Sequence, residues 1–360
     1  MLDSTRRIAD PLSSALAMSA KTDDSTNSDT FEDPFKDRFI EAMALLEKGE
    51  EAEALECFKV MAEEGSRHAQ HLLGSFHAEG RLMPEDLGEA IRWYLKSAEQ
   101  GLTSSALALG WIFLTKDSHL DVDLGLYWLN QAAEEGDAQA ANILGEMHYS
   151  GVGSMKPDYS KAVIHFEKGA ALGNSVSKQR LAWMYSEGLG VEADHEKALT
   201  LNMESAVEGN PIAACNAGIA FERGQGTEVD ITKAMDYYRF AADCGVMIAQ
   251  HNLGALLANG SVGEPDFKEA MHWYLKAASL GSPMSRYNIG TMYEKGQGVE
   301  KSAPIALAFF MTGAQIGDGD SKTKADALTR RLSPEEVGLA EVVAERLLID
   351  WAKNAQPPVN

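Results

Sequence analysis

Six aspartates, Asp86, Asp121, Asp158, Asp194, Asp230 and Asp266, recur at steps of 35 to 37 residues and are the most regular titratable groups in the chain. A column of carboxylates is raw material for a metal site or for general acid–base chemistry. Its position argues for another role. Each Asp stands four residues before a small residue (Ala90, Gly125, Ala162, Ala198, Ala234 or Ala270) inside an apolar-periodic stretch. An Asp placed there caps the first turn of a helix through its side-chain oxygen, and Glu89 and Glu269 follow three residues after their Asp in the capping-box pattern. His68 and His71 lie three apart on one helix face with His77 beyond them. They lack a third ligand of fixed geometry and read as surface or groove histidines. No His-Glu-x-x-His, Gly-x-Ser-x-Gly or phosphate-loop pattern occurs. Gly-x-Gly triplets do occur, in loops between helices and without a preceding strand, so they read as structural. The chain is therefore expected not to be an enzyme and to use no cofactor and no metal.

The elements that position these residues repeat. Gly65, Gly101, Gly136, Gly173, Gly209, Gly245, Gly281 and Gly317 mark a period of 35 to 37 residues. A second row, Gly74, Gly110, Gly145, Gly218, Gly254 and Gly290, runs in register with it, and Ala182 fills the missing slot. Residues 66–317 are seven copies of one unit, and a period of this length means stacked supersecondary units rather than one closed core. Each copy reads as two helices. In residues 174–209 a first helix over Val176–Glu187 carries Leu181, Ala182, Met184 and Tyr185, and a second starts near Asp194 with Ala198, Leu201 and Ala206. The second glycine row is expected to face the small row of the second helix, letting the two approach closely. Trp93, Trp128, His165, Leu201, Tyr237, Trp273 and Phe309, with Tyr94, Leu129, Phe166, Tyr238, Tyr274 and Phe310 beside them, are expected to fill the core between repeats.

Leu144-Gly145, Gly151-Val-Gly153 and Asp158-Tyr-Ser-Lys161-Ala162 form a pattern that returns as Gly188-Leu-Gly190-Val191 with Asp194-His-Glu-Lys197-Ala198, and as Met292-Tyr293 with Gly296-Gln-Gly298-Val299. On these motifs residues 66–317 resemble the Sel1-like repeat proteins, relatives of the tetratricopeptide repeats. The second copy departs from the pattern at Lys116, and the last has Ser302 and Ile305 where Asp and Lys are expected. The resemblance implies an all-α, right-handed superhelical solenoid of helix-turn-helix repeats. It implies that the first helix of each repeat lines a concave inner wall, that the work is that of a scaffold or adaptor, and that the source is bacterial. Cysteine-rich members staple their repeats with disulfides, a pattern absent here.

A formal net charge of −22 argues against nucleic-acid binding and suits basic protein partners or plain solubility. Cys57, Cys215 and Cys244 give no even disulfide framework and fit a reducing compartment. Near the N-terminus, Asp10, Pro11, Ser13 and Ser14 interrupt the apolar stretch that a secretion signal needs, and no stretch reaches membrane-spanning length. A cytoplasmic protein without membrane insertion is expected. Residues 1–34 are expected to be a disordered tail and 35–65 an N-terminal capping helical pair. Residues 318–354 are read as C-terminal capping helices, opened in part by Ser333-Pro334-Glu335-Glu336, and 355–360 as a tail.

If the first helix lines the groove, the residues not spent on packing face a partner. The position two after the Leu of Leu-Gly holds Trp111, Glu146 and Trp183, and further along the helix come Leu114 and Tyr149. Trp111 and Trp183 fall outside the tryptophan packing slots, and with Glu146 they read as an aromatic–acidic strip that grips a peptide, Glu146 meeting a basic side chain. The alternative is that both tryptophans pack inside a tight coil. Asn216, Asn252 and Asn288 repeat at 36 residues. They read either as amides that hold peptide backbone, as related repeat folds use them, or as structural amides bonding the neighbouring helix. Tyr287 lies in the column two before the Leu, with His71, Leu107, Asn142, Gln179, Cys215 and His251, and completes the candidate groove set. Two other readings stand beside the scaffold: an immunity-type or inhibitor protein that neutralises a basic toxin or enzyme, and a hydrolase acting on cell-wall or lactam substrates. No nucleophile–base set supports the hydrolase.

Overall fold

The computed structural model describes residues 34–152 and 155–354, and every regular element among them is helical. The expected N-terminal tail lies, up to residue 33, outside the described residues, as does the tail 355–360. Contacts within the chain divide it into two compact units, one ending at Gly173 and the other beginning at Asn174. The first unit holds four helical pairs: α1 (Lys36–Glu47) with α2 (Glu51–Glu63), α3 (Arg67–Glu79) with α4 (Leu87–Ala98), α5 (Thr103–Thr115) with α6 (Val122–Glu134), and α7 (Ala138–Ser150) with α8 (Tyr159–Ala171). The second unit holds α9 (Ser175–Glu187) with α10 (His195–Val207), α11 (Pro211–Arg223) with α12 (Ile231–Asp243), α13 (Met247–Asn259) with α14 (Phe267–Ser279), and α15 (Pro283–Lys295) with α16 (Ala303–Gln315). It ends with α17 (Gly319–Thr329) and α18 (Pro334–Asn354). Within a unit each first helix packs on its second, and the second packs on the first helix of the next pair. This is the serial stacking of an α-solenoid.

The aspartate column caps helices. The Asp86, Asp121 and Asp230 carboxylates each accept the N–H three residues on at 3.0 Å, and Asp158, Asp194 and Asp266 do so at 3.1, 2.9 and 2.9 Å. These backbone bonds hold the Asp158 and Asp230 carboxyls below the usual carboxylate range. In the last repeat Ser302 takes over, accepting from the Ile305 N–H at 3.4 Å. The Gly-x-Gly loops have two separate reasons for their glycines. Gly224 ends α11 in the left-handed conformation, φ 69°. Gly226, also left-handed, passes the start of α10 so closely that a Cβ would lie 2.2 Å from the His195 carbonyl oxygen.

The second glycine row meets first the large side chains beside the small row: a ring at Gly74, Gly145, Gly218, Gly254 and Gly290, and Leu129 at Gly110. A Cβ on Gly74, Gly145, Gly218 or Gly290 would stand 2.5 to 2.7 Å from ring carbons of Tyr94, Phe166, Tyr238 or Phe310. The small row comes close behind them through its backbone, as where the Gly125 and Ala270 carbonyl oxygens lie 3.2 and 3.3 Å from the positions of a Gly110 and a Gly254 Cβ. The missing side chain on the first helix is thus a seat for the ring of its partner helix, and these rings are fully buried. One repeat changes both halves of the pair: Ala182 stands in the glycine slot and Asn202 in the ring slot. Asn202 is buried, and its Oδ1 has no hydrogen-bond partner among the described residues.

At the C-terminal end Ser333 and Glu336 form a reciprocal box: the Glu336 N–H donates to Ser333 Oγ at 3.3 Å and the Ser333 N–H donates to Glu336 Oε2 at 2.9 Å. Helix α18 lies on α16. It buries Ala340 and Ala344 and sets Trp351 6.3 Å from the Phe309 ring and 4.5 Å from the Arg286 guanidinium.

Candidate interaction surface on the first helices

Each first helix carries one stripe that is exposed or half-exposed at its two ends, although packing uses parts of its middle, as at the buried Leu72, Ser75 and Ala108 and at Ile219 and Ala255, which lie on the core. Counted from the glycine that closes the preceding helix, the third, seventh, tenth and fourteenth residues fall on that stripe, at helical spacing. In the second unit the third position is apolar in four successive repeats: Val176, Ile212, Ile248 and Met284 are 44, 54, 53 and 60% exposed. The seventh holds Arg180, Asn216, Asn252 and Asn288, all half-buried, and the tenth begins with Trp183 at 43% exposure. The fourteenth holds Glu187, Arg223, Asn259 and Lys295, all exposed. In the first unit the third position is polar (His68, Ser104, Gln139), and the tenth holds Ser75, Trp111 and Glu146.

The candidate residues divide between the units. Trp111, Leu114, Glu146 and Tyr149 belong to the first. Trp111 and Glu146 are half-buried on the outward stripe. Leu114 is spent in its own hairpin, where its side chain fills the space left by Gly125. The Tyr149 ring tilts against Tyr159 of α8 at 5.5 Å. Trp183 belongs to the second unit and is exposed there. Asn252 and Asn288 bond the hydroxyls of Tyr238 and Tyr274, each on the second helix of the preceding repeat. Tyr238 in turn donates to Glu222 Oε2 at 2.6 Å. Those two amides therefore clasp adjacent repeats. Asn216 meets no such tyrosine, because the register places Asn202 there.

The column two before the leucine does not point outward. Asn142, Gln179 and Cys215 are buried. Tyr287 tilts on Phe310 at 5.5 Å, as His71 does on Tyr94 and His251 on Tyr274. This column sits one residue, about 100°, round the helix from the outward stripe and looks at the next first helix. His71 Nδ1 lies 2.8 Å from Ser105 Oγ, and His251 Nδ1 lies 2.9 Å from Ser285 Oγ. Burial lowers the His71 pKa to about 4, helped by His68, so the ring stays neutral. Burial also pushes the Cys215 thiol up to about 12, an unreactive state. Among the described residues no group of three or more His, Cys, Asp or Glu is placed to hold a metal ion, and no helix is long and apolar enough to cross a membrane.

The row Val176–Ile212–Ile248–Met284 was not singled out by sequence reasoning. Its signal was available: one apolar residue two places after the helix-capping residue, at 36-residue steps in four consecutive copies.

Comparison with known proteins agrees with the stacked hairpins and the capped repeats. The Sel1 repeat profile matches residues 67–102, 106–137, 138–174, 176–201, 211–246, 248–282 and 283–318. The chain belongs to the Sel1 repeat family, whose repeats typically mediate protein–protein interaction and are generally non-enzymatic. Among solved structures it is similar to a protective antigen of uropathogenic Escherichia coli strains that displays an SLR fold. That similarity has TM-score 0.74 and 29% identity, over 84% of this chain and 64% of that one. It is also similar to a Sel1 repeat protein from Oxalobacter formigenes, with TM-score 0.65 and 29% identity, over 82% of this chain and 87% of that one. A curated relative, DAP3-binding cell death enhancer 1 of Mus musculus, is 31% identical over 107 residues, which are 30% of this chain and 21% of the relative. The chain thus spans about a fifth of the length of the curated relatives it matches.

Proposed function

We propose that this chain is a non-enzymatic scaffold or adaptor that binds a partner protein or peptide on the outward face of its first helices. The observation that carries the reading is the exposure of Trp183 in line with Val176 on α9, large apolar side chains with no packing duty in a protein whose packing slots are otherwise filled. Exposed aromatic and aliphatic side chains in a contiguous patch mark interaction sites. In the first unit, Trp111 and Glu146 share the outward stripe and suit a basic side chain. The recurring aspartates are engaged as helix caps and burial keeps the Cys215 thiol protonated, so neither set supports a catalytic reading. The mouse relative is named for binding a protein, DAP3, which is the same class of activity.

The test is affinity capture with the full-length protein, run beside Trp183→Ala/Ile212→Ser and Trp111→Ala/Glu146→Gln, each checked for fold by circular dichroism. The expected result is a partner retained by wild type and lost by one of the variants. A partner held equally by all three would move binding off the first helices and retire the reading.

A further inference from the structure

The outward face of the second unit has a character opposite to that of the chain as a whole. Its outward positions carry Arg180, Arg223 and Lys295 against a single carboxylate, Glu187, in a protein of net charge −22. Arg223 and Lys295 are exposed at the last turns of α11 and α15, at the end of the same stripes that begin with Ile212 and Met284. The face therefore runs from an apolar row at the first turn, past Trp183, to a last-turn margin whose cations, Arg223 and Lys295, outnumber its one carboxylate, Glu187. The stripes of α13 and α15 are tied into the stack by fixed contacts: Asn252 on Tyr238, Asn288 on Tyr274, and His251 on Ser285 at 2.9 Å. A surface held this way is pre-organised, which lowers the ordering cost of binding. The same outward positions in the first unit hold no Lys or Arg at all, and they hold Glu79 and Glu146.

We propose that the outward face of the second unit binds an extended partner segment that carries both apolar side chains and carboxylates. The inference rests on the reading that the first helices form the binding face, and it adds the partner's chemistry. Apolar side chains of the segment cover the Val176–Met284 row and Trp183. Carboxylates meet Arg223 and Lys295, where guanidinium pairing adds geometry as well as charge. A basic segment would set like charges against those two residues. A second copy of this chain would bring a strongly acidic surface as a whole, and two bodies of net charge −22 repel each other at low salt. A short segment escapes most of that repulsion, because at physiological ionic strength charges beyond about 8 Å are screened and the local cations dominate.

The experiment is selection of a phage-displayed library of random 12-residue peptides on the full-length protein. The affinities of the winning peptides are then measured by fluorescence anisotropy. The expected winners combine Leu, Ile, Val or Phe with Asp or Glu. They should bind Ile212→Ser/Ile248→Ser and Arg223→Glu/Lys295→Glu at least roughly tenfold more weakly than wild type, the loss typical of removing anchor contacts. They should bind Glu63→Gln, an exposed control on a second helix, unchanged, and selection on Arg223→Glu/Lys295→Glu should favour Lys and Arg in place of Asp and Glu. All these positions are exposed or half-exposed, and the charge-reversed pair lies at exposed last-turn positions, so it stays informative if the serine pair fails to fold. Basic winners that depend on Trp111 and Glu146 would overturn this proposal while upholding binding by the first helices. Winners indifferent to every variant, or no enrichment at all, would overturn both.

Discussion

The two units use one packing code and present two different surfaces. In both, a glycine on the first helix seats a buried side chain of the second, Gly74 under Tyr94 in one and Gly218 under Tyr238 in the other. In both, an aspartate caps the second helix. Yet the third outward position reads His68, Ser104, Gln139 in the first unit and Val176, Ile212, Ile248, Met284 in the second. Packing positions are constrained by every neighbour they touch, whereas exposed positions such as the third answer to solvent and to partners. The difference between the units is therefore where specificity resides, and their likeness is where stability resides.

The largest effect tests the likeness. Gly218→Leu and Gly110→Leu should each destabilise the protein by roughly 3 kcal/mol or more, because the new side chain meets a ring or a leucine that has nowhere to go. Thermal or urea unfolding of both variants would check it. Sensitivity in only one unit would break the shared code.

A smaller effect tests the one repeat where the pair changes. Asn202→Tyr alone should cost about 1 to 3 kcal/mol, since Ala182 already occupies part of the seat. With Ala182→Gly added, the ring should fit, its hydroxyl should reach Asn216 as Tyr238 reaches Asn252, and the unpaired Oδ1 of Asn202 disappears. The double variant should exceed wild type by about 1 kcal/mol. A double variant no better than the single one would show that the two positions are not coupled.

Acid separates the units next. His71 in the first unit titrates at about 4 in the fold against 6.5 when exposed, and His165 behaves likewise through burial and the charge of neighbouring His148, Lys168 and Lys161. A histidine whose pKa is lowered by folding contributes stability that is complete above pH 6.5 and is lost as the pH falls from there towards 4. Hydrogen exchange followed from pH 7 to 4 should show the first unit loosening before the second, where His251 is the histidine lowered by burial. His71→Gln keeps a partner for Ser105 without a titrating ring and should flatten that limb. An unchanged limb would assign the acid response elsewhere.

The smallest effects are expected on the outward faces. Ile212→Ser, Ile248→Ser and Trp183→Ala should each change stability by no more than about 0.5 kcal/mol, the usual range for exposed positions. A larger loss for Trp183→Ala would mean that this ring packs, which would blur the contrast on which the binding reading stands.

Much of the fold was visible in the chain itself. The period, the helical pairs, the aspartate caps and the Ser333–Glu336 helix start all follow from local rules: i+3 capping, 3.6-residue periodicity, and glycine where a helix must stop. Pairing across helices was less visible. The glycine row was assigned to the small row because spacing says which residues share a face but not which side chain of the facing helix enters the gap. The Tyr287 column was offered as groove-facing for a similar reason. One residue of helical rotation separates it from the outward stripe, and only the position of the next helix decides which of the two is covered. Asn252 and Asn288 had two readings until each was seen to pair with a tyrosine of the preceding repeat, and Asn216 escaped that role because the preceding repeat has Asn202 in place of the tyrosine.

By itself the sequence determined the architecture: a repeating pair of helices, capped and closed by residues that act within one turn of themselves. Those interactions are short-range and recur with few departures, so one copy's chemistry can be read off the chain seven times. The tertiary structure decided which residues are left over. Exposure is a property of the stack and not of the helix: a side chain is outward only once its own hairpin and both neighbours have taken what they need. That subtraction makes Trp183 and the Val176–Met284 row a surface, and it makes Leu114, Tyr287 and the two bonded asparagines part of the frame that holds it.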